Sequence, residues 1–288
     1  MAEINHFAFG LLTPVLAYAM SVIGSLLGLQ CTARARFSAG RSRVGWLVLG
    51  AVSIGGTGVW VMHFIAMLGF RVSGMEIRYD VPLTLLSALI AAIVVGVGIF
   101  IVGYGGNRIS ALLGGGVITG LGVASMHYLG MGAMQMSGQV DYDLLIVAAS
   151  VLIAVVAATV ALWFTLRVRG HLATTAAALV MGVAVSGMHY TGMAGMTVQE
   201  DPVPGPLTGA SAFDFLLPMI IGVSVFAMLL LVAIGLSLTE EEIQLEKQFE
   251  QQLVERANQR EMGVPASNFA SRPTAQKAGA GRPSDRWD

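Results

Sequence analysis

Seven long apolar segments make up most of the chain, and short connections between them carry the polar and charged residues. Each segment is long enough for a helix that crosses the hydrocarbon core of a bilayer, which needs about 20 residues. The interiors of the segments contain no Asp, Glu, Lys or Arg. The pattern therefore predicts an all-α integral membrane protein with seven transmembrane helices. We number them spans 1 to 7 and place them near residues 8–30, 44–68, 82–104, 110–133, 144–166, 172–196 and 214–238.

The basic residues are distributed unevenly between the two sides of the predicted bundle. The first, third and fifth connections contain seven arginines, whereas the second, fourth and sixth contain only Arg71 and Arg78. Because short loops rich in Lys and Arg stay in the cytoplasm, the odd-numbered connections are predicted to be cytoplasmic. The N-terminus is then outside and the C-terminus inside.

The composition limits the class of protein and the kind of site. Hydrophobic residues make up 55% of the chain and charged residues 11%, whereas roughly a quarter of a soluble domain is charged. We expect membrane lipid around the chain and no nucleic-acid partner. Cys31 is the only cysteine, which excludes an intrachain disulfide and a multi-cysteine metal cluster. Any metal would have to be bound through His, Met or oxygen atoms.

One short motif occurs three times, once in each even-numbered span. Met precedes His, an aromatic residue follows it, and a second Met stands four residues after the His. The copies are Met62-His63-Phe64 with Met67, Met126-His127-Tyr128 with Met131, and Met188-His189-Tyr190 with Met193. The histidines are 64 and 62 residues apart, about one helical hairpin. This spacing predicts three repeated hairpins in spans 1 to 6 and a seventh helix added to them.

The predicted topology brings the three histidines to one depth. Spans 2, 4 and 6 all run from the cytoplasm to the outside, and each His lies roughly 10 Å below its outer connection at 1.5 Å of rise per residue. Positions four residues apart lie close together on one side of a helix, so each His and the Met after it point in similar directions. Gly56, Gly120 and Gly182, seven residues before each His, share that side. Close helix packing explains them most simply, and space for a bound group is the alternative.

Imidazole nitrogen and thioether sulfur are ligands that together favour copper, especially Cu(I), and neither brings a charge into the membrane. A lone Met in a membrane helix is usually a packing residue, and a Tyr near the surface is often an interfacial anchor, the interpretation we favour from the residues alone. A His in a membrane helix indicates function by default, although it can also hydrogen-bond between helices. Recurrence of the whole motif at one depth favours a site in which the three histidines and neighbouring methionines bind copper.

The tetrapeptide Met188-His189-Tyr190-Thr191 and its two counterparts resemble the MHYT sensor family, and the resemblance covers approximately residues 6–240. It implies a sensory domain of the bacterial inner membrane that binds copper and detects a diatomic gas such as oxygen, carbon monoxide or nitric oxide. We expect either the gas or a redox change at the metal to be the signal. Carried over by position, it implies Tyr128 and Tyr190 as cofactor-binding residues. The implied metal ligands are Met62, His63, Met67, Met126, His127, Met131, Met188, His189 and Met193. Phe64 replaces Tyr in the first copy, so a Tyr ligand cannot be required in every repeat.

A tail follows the membrane sensor domain, which we assign to residues 1–238. Residues 239–262 are charged and have apolar residues at intervals of four, which predicts a cytoplasmic helical extension. Residues 263–288 are rich in Pro, Ala, Gly and Ser, which predicts disorder. This tail is too short for a cyclase, kinase or phosphodiesterase fold. We expect a stand-alone sensor without enzymatic activity that signals through the tail helix to a separate cytoplasmic partner.

Three other interpretations are open at this point. A copper carrier or channel would use Met and His as a conduction path, but the positions below the histidines are Gly and Val. A haem with two axial histidines also suits membrane helices and leaves the third His unexplained. A purely structural protein would use the histidines for hydrogen bonds between helices.

Overall fold

The computed structural model describes residues 2–106, 108–200, 207–236, 248–255 and 257–258. In this part of the chain, seven helices are long and apolar enough to cross a membrane, which confirms the predicted architecture. Spans 1 to 7 are Leu12–Phe37, Gly40–Leu68, Val81–Gly105, Ile109–Gly132, Leu144–Arg167, His171–Ala194 and Ala212–Leu236.

The chain divides into two compact units, Met1–Glu240 and Glu241–Asp288. Within the predicted helical extension 239–262, residues 248–255 and 257–258 are helical. The rest of that extension and the predicted disordered tail 263–288 lie outside the described residues, so both remain predictions.

Span 1 is shifted relative to its prediction. It begins at Leu12 rather than near residue 8, because Ile4–Asn5 forms a short strand and a turn follows it. It continues to Phe37 rather than ending near residue 30, and its last turn contains Arg34 and Arg36. Long arginine side chains can lie along a membrane helix and place their charge at its end.

Span 2 combines two helix types. Residues Gly40–Val52 and Met62–Leu68 are α-helical, and Ser53–Val61 between them is a π-helix, a rare form with wider turns that is frequent at functional sites. Span 2 is also the most enclosed of the three motif helices. Of its most apolar stretch, 61% is buried, against 44% in span 4 and 28% in span 6. Span 2 therefore lies at the centre of the bundle.

Glycines allow the helices to approach closely. A Cβ atom on Gly24 in span 1 would come 2.6 Å from the Cα atom of Gly58 in span 2. One on Gly120 would come 2.7 Å from the backbone nitrogen of Val155, and one on Gly182 would meet Val22 of span 1 at 2.7 Å. The packing explanation is thus confirmed for Gly120 and Gly182, whereas the nearest neighbour of Gly56 is in ordinary contact at 3.8 Å.

Short antiparallel strands connect the outer ends of the spans. Strand β1 (Ile4–Asn5) pairs with β2 (Arg71–Val72), and β5 (Gly138–Tyr142) pairs with β6 (Met196–Glu200). The third sheet has β3 at its centre, and its strands are β3 (Arg78–Tyr79), β4 (Met134–Gln135) and β7 (Ala210–Ser211). Asp80 and Asp143 follow strands and cap the helices that begin next, since their carboxylates accept hydrogen bonds from Leu83 N and Leu145 N.

Arginines near the first inner connection donate hydrogen bonds to carbonyl oxygens at the inner ends of three other spans. Arg43 donates to Gly103 O at the end of span 3 over 2.6 Å, and Arg34 donates to Ile234 O near the end of span 7 over 2.7 Å. Arg36 donates to the carbonyls of Leu166 and Val168 at the end of span 5. Basic side chains are favourable at helix C-termini, where carbonyl groups lack intrahelical partners.

Candidate metal centre

The three motif histidines meet at one point inside the bundle. The Nδ1 atoms are 3.0 Å apart between His63 and His189, 3.2 Å between His63 and His127, and 3.3 Å between His127 and His189. All three side chains are buried, with exposed fractions of 0–1%. The rings meet edge to face, at 84–89° to one another. We call this group the trihistidine centre.

Hydrogen bonds between the Nδ1 atoms leave one unfavourable contact in the trihistidine centre. In a neutral imidazole, each ring nitrogen is either a donor or an acceptor. Three Nδ1 atoms in mutual contact therefore always include at least one pair of two donors or two acceptors. A cation that takes one lone pair from each Nδ1 atom removes this conflict.

The spacing of the nitrogens fits a shared metal ion. Three imidazole nitrogens at about 2.0 Å from one ion are about 3.3–3.5 Å apart in tetrahedral or trigonal coordination. The observed separations of 3.0–3.3 Å are close to this range. Among the described Cys, Asp, Glu and His residues, these three form the only group close enough to share an ion. The ligand set is therefore neutral, and imidazole suits copper, zinc, iron and nickel.

Glycines from neighbouring repeats lie close to the Nε2 atoms of two histidines. A Cβ atom on Gly130 of span 4 would lie 2.7 Å from His63 Nε2, and one on Gly192 of span 6 would lie 2.5 Å from His127 Nε2. Both Nε2 atoms are buried without a hydrogen-bond partner among the described residues. Each glycine stands three residues after its own motif His, where the first repeat has Ala66. Their contacts with the histidines could not be predicted from the sequence, because a contact between repeats leaves no pattern within one repeat.

The motif methionines lie in the same core as the histidines. Each of the six predicted methionine ligands has an exposed fraction of 1–2%: Met62, Met67, Met126, Met131, Met188 and Met193. Burial agrees equally with packing and with ligation, so their role as metal ligands remains a prediction.

The two motif tyrosines differ in their hydroxyl groups. The Tyr128 hydroxyl is 2.6 Å from Ser150 Oγ on span 5, whereas the Tyr190 hydroxyl is buried without a partner among the described residues. The Tyr128 ring also meets that of Tyr142 edge to face at 5.7 Å. Burial, and secondarily Tyr128, raise the pKa of Tyr142 to about 12, so this neighbour is a neutral phenol at physiological pH.

His6 is a fourth histidine near the centre, and no sequence motif marks it. It follows strand β1 at the outer end, and its ring centroid is 5.7 Å from that of Phe70. Burial lowers the pKa of His6, and its Nδ1 atom has no partner among the described residues. His6 stands outside the repeated motif, so only the pairing of β1 with β2 reveals its position.

Comparison with known proteins agrees with the repeated motif and the fold. Residues 56–115 and 120–178 match the family described as "MHYT: Bacterial signalling protein N terminal repeat". The chain belongs to the MHYT family. Each matched repeat of this MHYT chain begins in a motif helix and continues through the next span. The third motif lies beyond the matched residues, yet His189 completes the trihistidine centre.

Curated relatives share the membrane part of the chain. The bifunctional diguanylate cyclase/cyclic di-GMP phosphodiesterase MucR of Pseudomonas aeruginosa is 39% identical over 180 residues, which is 61% of this chain and 26% of MucR. An uncharacterized signaling protein of Caulobacter vibrioides is 34% identical over 65% of this chain and 23% of its own length. The signaling protein YkoW of Bacillus subtilis is 31% identical over 69% of this chain and 25% of its own length.

The MHYT chain therefore spans about a quarter of the length of these relatives. No solved structure matches it. The comparisons and the seven spans together make it a multi-pass membrane protein of a signalling family.

Proposed function

We propose that the trihistidine centre binds one copper ion and that this MHYT chain senses a diatomic gas or a redox change in a bacterial inner membrane. The observation that supports the proposal is the closed triangle of Nδ1 atoms, 3.0–3.3 Å apart, in which a shared cation would remove the contact between two like hydrogen-bonding groups. Copper is favoured over other divalent metals because it forms the most stable complexes with nitrogen ligands. Methionine sulfur nearby further favours Cu(I).

The protein residues have separate roles in this proposal. His63, His127 and His189 hold the metal, and the buried Met residues exclude water around it. Bound copper would supply a coordination position for a diatomic ligand and a change of oxidation state. Because the three histidines belong to three different spans, a change in their arrangement acts directly on the packing of spans 2, 4 and 6.

The route to the cytoplasm is the second part of the proposal. Span 2 follows the first inner connection, and Arg34 beside that connection donates to Ile234 O near the inner end of span 7. We propose that this contact transmits the change to span 7 and, through the tail, to a cytoplasmic signalling partner. The relatives named as cyclic di-GMP enzymes suggest a partner in the same signalling system.

The alternatives receive less support from the geometry. A haem with two axial histidines needs a porphyrin between the two nitrogens, and separations of 3.0–3.3 Å leave no space for it. A copper channel needs further ligands toward the cytoplasm, but the positions four residues before each His are Val59, Val123 and Val185.

Metal content tests the proposal. The wild-type protein should be purified from copper-supplemented cells without imidazole, beside the triple variant His63→Ala, His127→Ala, His189→Ala. We expect one copper per wild-type chain and none in the triple variant. His171→Ala, which removes an exposed histidine at the inner end of span 6, is the matched control and should retain copper. Equal copper in the wild type and the triple variant would contradict the proposal.

A further inference from the structure

An apolar cavity lies on the inner side of the trihistidine centre. Its volume is ≈ 50 Å³, larger than the roughly 10–15 Å³ that one water molecule requires on the same measure. Its walls come from spans 2 to 6, and span 5 contributes a row of alanines, among them Ala154, Ala157, Ala158 and Ala161.

Residues from all three motif helices line the cavity close to the trihistidine centre. Val59, Val123 and Val185 line it, and each stands four residues before a motif histidine. This is about one helical turn, or roughly 6 Å, toward the inner side. Met188, which directly precedes His189, also lines the cavity. The three valines thus bring the cavity within about one helical turn of all three histidines.

The lining disfavours water. Only Thr119 and Thr165 bring hydroxyl groups to the cavity, and both already donate to backbone carbonyls, Thr119 to Val94 O and Thr165 to Leu162 O. Cavities lined by apolar groups remain dry and bind small apolar molecules, including xenon. The small volume suits a molecule of a few atoms.

We propose that this cavity binds a small apolar gas molecule and delivers it to the trihistidine centre. Oxygen, carbon monoxide and nitric oxide belong to this class, and all three dissolve better in the hydrocarbon core of a membrane than in water. The choice of a diatomic gas as the natural ligand rests on the proposed function, but binding in the cavity does not require a metal. The gas reaches the centre from the membrane interior, past Val59, Val123 and Val185.

Xenon binding to the full chain in lipid nanodiscs tests the proposal. Methyl NMR spectra recorded under increasing xenon pressure should show saturable shifts at Met188, Val59, Val123 and Val185. Ala158→Leu fills the cavity and should abolish these shifts. The matched control Ala149→Leu adds the same side chain to span 5 at an exposed position and should leave them unchanged. If Ala158→Leu does not fold, Ala154→Val provides a smaller filling change at another lining residue.

Several results would overturn the proposal. They are the absence of a saturable shift in the wild type, equal shifts in Ala158→Leu and the wild type, and contacts from water or from lipid acyl chains to the Met188 methyl group. Copper content measured on the same samples separates failure of the cavity proposal from failure of the proposed function. A copper-binding protein without xenon shifts contradicts the cavity alone, whereas xenon shifts without copper contradict the metal centre alone.

Discussion

Span 2 carries the same motif as spans 4 and 6 but holds it in a different environment. In span 2 every side chain from Met62 to Met67 is buried. In spans 4 and 6 the buried His and Met residues have partly exposed neighbours, among them Tyr128 and Tyr190. The histidines form a nearly symmetric triangle, yet the helices that hold them are not equivalent.

This difference bears on the aromatic residue of the first two copies. Phe64 is fully buried, and its ring packs against Trp60 at 4.8 Å and Tyr79 at 5.9 Å. A tyrosine there would bury a hydroxyl group, which is unfavourable without a hydrogen-bond partner. Tyr128 has such a partner in Ser150. Burial therefore accounts for Phe64 in the first copy, and the Ser150 partner accounts for Tyr128 in the second. Burial does not account for Tyr190, whose hydroxyl is buried without a partner among the described residues.

We expect the largest effects when one histidine is removed at a time. If a single ion is shared, His63→Ala, His127→Ala and His189→Ala should each weaken copper binding more than about 100-fold, beyond the 10–100-fold typical of residues that only support a ligand. Competition with a chelator of known affinity measures this. A large loss for His63→Ala alone would mean that span 2 binds the metal without the other repeats.

A second test replaces the glycines that lie against the histidine rings. Gly130→Ala and Gly192→Ala would place a Cβ atom 2.7 Å from His63 Nε2 and 2.5 Å from His127 Nε2, so a ring must move. We expect copper affinity to fall by about 10–100-fold, as for other residues that position a ligand. Gly132→Ala and Gly187→Ala are matched controls in the same two helices, because nothing lies within 4 Å of a Cβ atom there. Comparable losses in tests and controls would show that helix flexibility, and not ring position, controls affinity.

A third test exchanges the aromatic residues. Phe64→Tyr places a hydroxyl in the most enclosed copy of the motif, and we expect the free energy of unfolding to fall by about 1–3 kcal/mol. Thermal unfolding in detergent, with and without copper, measures the change. An unchanged melting temperature would indicate that span 2 can accommodate a tyrosine and that burial does not explain Phe64.

The smallest expected effects come from the tyrosines of spans 4 and 6. Tyr128→Phe removes the 2.6 Å hydrogen bond with Ser150, so stability should fall by about 0.5–1.5 kcal/mol. Tyr190→Phe removes a buried hydroxyl without a partner and should be neutral or stabilising. The same unfolding measurement separates the two. Strong loss of copper in either variant, with stability unchanged, would assign that tyrosine to the metal instead.

The sequence predicts the spans and the meeting of the histidines because both depend on simple periodic signals. Long apolar segments indicate the helices, and the nearly equal spacing of His63, His127 and His189 places them at one depth. The boundaries of span 1 are less accurate, since Arg34 and Arg36 extend the helix through contacts with distant carbonyls.

Other features arise only from contacts between distant segments. The outer strands are two to five residues long, too short to leave a clear alternating pattern. The π-helix of span 2 reflects packing at the bundle centre, where Ser53 donates to Gly24 O and Trp60 donates to Ser87 Oγ. Gly130, Gly192 and His6 approach the trihistidine centre from other repeats or from the N-terminus, so no local motif identifies them.

The number of imidazole nitrogens bound to the metal tests the central claim most directly. Pulsed electron paramagnetic resonance of the oxidised copper protein, supported by X-ray absorption, counts these ligands. We predict three imidazoles on one copper ion per chain, and two in any single His→Ala variant that retains residual metal. Copper bound without imidazole, or with one imidazole unaffected by all three substitutions, would contradict the account.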